Sequence, residues 1–192
     1  MSKIEVNEIV NQSGDNDSGI DLTTNDQIGF KIANASKWTL NSSGNLFPAS
    51  TSQGIVLGST SDTSANRLDD YEEGTWTPTL PNGGTVNSIT DAHYIKIGNA
   101  VIWYCYVGLT PTNNSSYFRI GGLPHTPIIY NHGGGSIQYS QTLNVQHWSG
   151  PLTSHDGFIY FHRSDGNTAQ ILNSAFGGSQ YNLILHGVYT IL

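Results

Sequence analysis

Charge is scarce in this chain. Only 11% of its 192 residues are Asp, Glu, Lys or Arg, against roughly 25% in ordinary soluble domains. Basic residues are the scarcest, 7 against 14 acidic ones, for a formal net charge of -7. A nucleic-acid binder needs surplus Lys and Arg to displace counterions from phosphates, so that class is excluded. Cysteine occurs once, at Cys105, which rules out an internal disulfide framework. Long apolar runs are missing. The longest, 100–107, is far below the roughly 20 residues of a membrane helix, and no membrane insertion is expected. The opening stretch, MSKIEVNEIVNQSGD, lacks the apolar core and cleavage site of a secretory signal. Strong helix formers are few, which argues against a helical bundle. What is plentiful is Gly, with 22 copies, and beside it Ser, Asn and Thr, the composition of a turn-rich β protein.

The two parts of the chain differ. Residues 1–73 hold 11 acidic and 4 basic side chains, whereas 74–192 hold 3 of each. Sixteen of the 20 aromatics and all seven His lie after position 73. Aromatics carry much of the area a core buries, so only 74–192 looks able to build its own core. The boundary is placed in LDDYEEG, 68–74.

Period-two alternation marks the strands. In HYIKIGNAVIWYCYVGL two apolar runs flank Gly98-Asn99, a hairpin dipeptide. Along the second run Val101, Trp103, Cys105, Val107 and Leu109 face one way, and Ile102, Tyr104 and Tyr106 the other. Both faces are apolar, which predicts a central strand in a two-layer structure. Further strands are expected at 75–80, 117–120, 127–130, 136–143, 158–162 and 181–192. The first part has only short apolar pieces, IGFKIA, KWTL, NLFP and GIVLG. Either it is disordered, or identical chains share its apolar residues across a symmetry axis. The regular placing of Phe30, Ile32, Trp38, Leu40, Leu46 and Phe47 favours sharing.

Several stretches have a familiar order. LDDYEEGTWTPTL at 68–80 is followed by AHYIKIGNAVIWYCYVGL at 92–109 and FRIGGLPHTP at 118–127. Upstream stand MSKIEVNEIVNQSG at 1–14 and KWTLNSSGNLFP at 37–48. In this order they resemble tail-fibre and related virion structural proteins of tailed bacteriophages, marine phages in particular. The resemblance implies an all-β homotrimer. Residues 1–73 would form an attachment segment and an elongated, intertwined β-stem, and 74–192 an antiparallel, jelly-roll-like β-sandwich head. It implies attachment to other tail or capsid proteins at the N-terminus, with Ile4, Val6 and Ile9 as docking residues, and location on the virion. At the other end it implies contact with a host cell-surface glycan or outer-membrane protein. It brings no catalytic residues, metal or cofactor. The alternative is a capsid decoration or head-fibre protein, because the stem is short and carries no repeated shaft segments.

Constellations for chemistry are thin. His-x-His and His-Glu-x-x-His, the paired spacings of metal sites, are missing. The run Asp15 to Asp21 is rich in oxygen ligands, but the sixth and twelfth loop places hold Ile20 and Asp26, where a calcium loop needs Gly and Glu. An Asx-rich turn is the simpler reading. No Gly-x-Ser-x-Gly elbow occurs. Acids beyond Gly74 are Asp91, Asp156 and Asp165, a poor supply for a depolymerase, which needs two carboxylates across one bond. Binding rather than catalysis is expected, and a free lectin or a small depolymerase ranks below the fibre. Aromatic and amide side chains near turns, Tyr130, Asn131, His132, Gln146, His147 and Trp148, are the candidate glycan contacts.

Overall fold

The computed structural model describes residues 5–11, 17–63, 66–127, 133–140, 152–162 and 170–191. The protein is all-β, built from antiparallel sheets. A 3₁₀ turn spans Asn173–Phe176, and among the described residues no helix is long and apolar enough to cross a membrane. The chain divides into two compact units, 1–70 and 71–192.

The first unit is a meander. Strands β1 (Glu8–Val10), β2 (Gly19–Asp21), β3 (Ile28–Ile32), β4 (Ala35–Leu40) and β5 (Leu46–Pro48) pair in sequence order. A two-stranded ribbon, β6 (Ile55–Val56) with β7 (Arg67–Leu68), follows. Short polar turns make this order possible. Ala33 and Asn34 both take positive φ, 54° and 56°, the two-residue hairpin geometry that matches strand twist. Asn41 Oδ1 accepts from the backbone N–H groups of Ser43 and Asn45, at 3.1 and 3.0 Å, an Asx turn that returns the chain into β5.

The second unit is one eight-stranded sheet. Its strands are β8 (Tyr71–Thr75), β9 (Gly84–Ile97), β10 (Ala100–Pro111), β11 (Arg119–Gly121), β12 (Gly133–Ser140), β13 (Leu152–His155), β14 (Phe158–Phe161) and β15 (Tyr181–Thr190). Their spatial order is β11-β14-β13-β12-β15-β10-β9-β8. The two ends of that order are joined. Beyond β8, Thr79 pairs with Gly121 of β11, each N–H donating to the other's carbonyl at 3.0 and 2.9 Å. One continuous sheet thus wraps a core and leaves little free edge.

The core follows the alternation of β10. Val101, Trp103, Cys105, Val107 and Leu109 are each at most 1% exposed. They meet Leu183, Leu185 and Tyr189 of β15, Ile159 and Phe161 of β14, and Phe118 and Ile120. Rings of Phe118, Phe161 and Phe176 pack with centroids 4.6 and 4.3 Å apart. β10 is central, paired with β9 and β15, as its apolar run predicts. Its second face departs from the expectation: Ile102 is 50% exposed and Tyr104 and Tyr106 are half-buried, so that face is covered only in part. The expected strand at 75–80 is displaced, since β8 ends at Thr75 where it was to begin, and 127–130 falls mostly outside the described residues. The sequence reading overlooked β13 and the first half of β9.

Candidate functional site

The first unit presents an uncovered apolar face. No described residue up to Asp70 is buried. Residues paired across an antiparallel sheet share a face, and the registers align Ile9, Ile20, Phe30, Trp38 and Pro48 in one row. A second row on that face holds Ile28, Leu40 and Leu46. Phe30, Trp38, Leu46 and Ile55 line an open concavity of about 370 Å³. Exposure is 41% at Phe30, 57% at Leu46 and 59% at Ile32. The opposite face carries the charges: Lys31 Nζ lies 2.6 Å from Glu8 and 4.0 Å from Asp21. Hydrogen bonds from Thr23 chiefly, helped by Lys31, hold the Asp21 carboxyl below its ordinary value.

Of the six expected stem contacts, Phe30, Ile32, Trp38, Leu40 and Leu46 fall on the apolar face. Phe47 does not. It pairs with Thr39 and so projects to the polar side, because strand neighbours alternate. Ile9 belongs to the apolar row and Val6 is 44% exposed. Ile4 lies outside the described residues, as do all six glycan candidates, Tyr130, Asn131, His132, Gln146, His147 and Trp148.

On the second unit, a polar stripe crosses the outer side of the sheet. Registers align Ser136, His186, Tyr104 and His93. Ser136 Oγ lies 2.9 Å from His186 Nε2, and Asp91 oxygens lie 3.1 Å from His93 Nδ1. A catalytic triad requires one His to touch both the hydroxyl and the carboxylate. Here they sit on different His residues with Tyr104 between, stacked on His93 at 5.0 Å. This row therefore lacks nucleophile geometry. Cys105 offers none either: burial pushes its thiol up to about 12 and keeps it unreactive. Among the described residues no group of three His, Cys, Asp or Glu side chains is placed to hold a metal.

A second feature lies at the other end of the sheet. Arg119 on β11 is opposite Tyr160 on β14. Its guanidinium carbon sits 4.5 Å from the Tyr160 ring centre and 5.9 Å from those of Tyr117 and Phe158. Local alternation builds this cage. Phe118, Ile120, Ile159 and Phe161 go inward, so Tyr117, Arg119, Phe158 and Tyr160 take the other face, where Tyr160 is itself only 3% exposed. The signal was legible as two i, i+2 pairs in YFR and FIYF, once the two strands are known to be neighbours. Near the start of the second unit, Glu72 accepts a hydrogen bond from the Tyr94 hydroxyl and lies 3.7 Å from His125 Nε2. That bond and burial hold the Tyr94 phenol above its ordinary value.

No protein-family model, curated protein or solved structure matches this chain.

Proposed function

We propose that this chain is a virion structural protein of a tailed bacteriophage, a short homotrimeric tail fibre. Its N-terminal unit attaches to the particle and assembles the stem, and its C-terminal unit, a sandwich-like head, contacts the host surface. The observation that carries this reading is the first unit's apolar sheet face without a single buried residue among those described. Fully burying a Leu, Ile or Phe side chain is worth about 1.5–3 kcal/mol. A small sheet that leaves six such positions, and Trp38 with them, wholly or partly wet gains too little to offset its ordering entropy. Copies of the same chain meeting face to face supply the missing burial, and their polar faces, with Lys31, Glu8 and Asp21, stay in water. The ordered motifs resembling tail-fibre proteins add the virion context. No chemistry is proposed, because the Ser136–His186 and Asp91–His93 pairs do not converge.

The test is solution mass by light scattering. The full chain is expected at three times its chain mass of 20.8 kDa. Phe30→Asp, which puts a charge in the middle of the row, is expected to give monomers with an unchanged second unit. A monomeric full chain overturns the fibre reading.

A further inference from the structure

The Arg119 cage goes a step further than host contact in general. Among the described residues of the second unit the cations are Lys96, 7% exposed, and Arg119. No described carboxylate pairs with Arg119. Its Nε is buried with no hydrogen-bond partner. The two terminal nitrogens are not among the buried unpartnered atoms, so they face solvent. The guanidinium has thus given up part of its hydration without gaining an anion. Aromatic faces return some of that loss through their quadrupoles, but they leave the planar fork of N–H donors unused. A fork seated over a ring keeps its N–H donors for two parallel hydrogen bonds to one carboxylate.

The surroundings favour an anion carried on a ring. Tyr117 is 45% exposed and flanks the cation, offering a flat apolar face. On the same side of the sheet lies Gln170. It pairs with His162, which is two residues from Tyr160 and therefore shares its face. Gln170 Oε1 is a buried acceptor with no donor. A sugar hydroxyl is a donor of the kind it lacks. We infer that this patch binds a carboxylate-bearing saccharide, Arg119 pairing with the carboxylate and Tyr117 stacking on the sugar ring. This rests on the reading of the second unit as the part that contacts the host surface, and it names the class of glycan.

The experiment is calorimetric titration of the full chain with trigalacturonate, and with maltotriose and inorganic phosphate as controls. Trigalacturonate is expected to bind with a Kd on the order of millimolar, as for a small shallow site, and more weakly as salt rises. Arg119→Gln should weaken binding tenfold or more. Tyr117→Ala, at a half-exposed position where folding is not at stake, should weaken it severalfold. Maltotriose should not bind, and phosphate should bind at least tenfold more weakly than the acidic trisaccharide. Failure of trigalacturonate to bind the wild type overturns the inference. So does equal affinity in both variants, and so does phosphate binding as tightly as the sugar acid. Light scattering on the same samples separates the two readings. A trimer that ignores trigalacturonate refutes this site alone, while a monomer that binds it refutes the fibre alone.

Discussion

Trp103 shows how much one side chain demands of its neighbours. It is 1% exposed, and its indole meets Trp76 edge-on at 6.3 Å. Above it, Gly135 of β12 pairs with Gly187 of β15, and Gly187 pairs with Trp103 itself. A Cβ on Gly187 would sit 2.6 Å from Trp103 Cζ2, well inside van der Waals contact. The indole occupies the space that two missing side chains leave. Gly187→Ala is therefore expected to cost about 1–3 kcal/mol through overpacking, read as a lower denaturation midpoint in urea. Gly134, next along β12, has nothing within 4 Å of its would-be Cβ, so Gly134→Ala should be close to neutral in the same assay. The glycines of GGGSI read alike in the sequence, and only their facing decides which one matters.

At the scale of elements, the β3–β4 hairpin decides the register of the first unit. A slip of one residue would carry Phe30 and Trp38 to the polar side. The turn that prevents it holds Ala33 and Asn34 at φ of 54° and 56°. Asn tolerates this left-handed geometry, whereas a β-branched residue does not. Asn34→Val should cost about 1–2 kcal/mol and lower the yield of the proposed trimer in size-exclusion chromatography. Asn34→Gly should preserve both. Strands of the second unit were legible where alternation is strict, as in 101–109. They were not legible in β9 before 92, where GTVNSITD lacks an apolar face of its own. That stretch pairs along the far half of β10, across two register shifts, so its strand character comes from its partner. Phe47 illustrates the complementary error. Hydrophobicity placed it with Leu46 in the shared core, but adjacent residues of a strand cannot face the same side.

For the molecule as a whole, pH exposes where stability is stored. Burial pushes Tyr189 up to about 12 from 10.0, and Cys105 up to about 12 from 9.0. Both groups are held neutral inside the second unit. A folded-state value above the unfolded one means stability fully present below the unfolded value and lost as pH rises through the folded one. The second unit is expected to keep its near-ultraviolet circular dichroism up to about pH 9 and to lose it between about pH 9 and 12. The last tyrosine to ionise, followed by its phenolate absorbance, should do so together with that loss. Ionisation of every tyrosine with the sheet intact would show that Tyr189 is not confined as described.

What the sequence alone settled is composition-driven: an all-β chain, an acidic core-poor first part and a core-rich second part. These depend on local alternation and on how much apolar area each part owns, and both are readable from residue order. The tertiary structure decided everything that depends on which strands are neighbours. The junction of Thr79 with Gly121, the glycine gap that Gly187 leaves above Trp103 and the meeting of Arg119 with Tyr160 all join positions far apart along the chain. Period-two patterns give each strand two faces but say nothing about its partner, because pairing is fixed by the burial of the whole sheet at once.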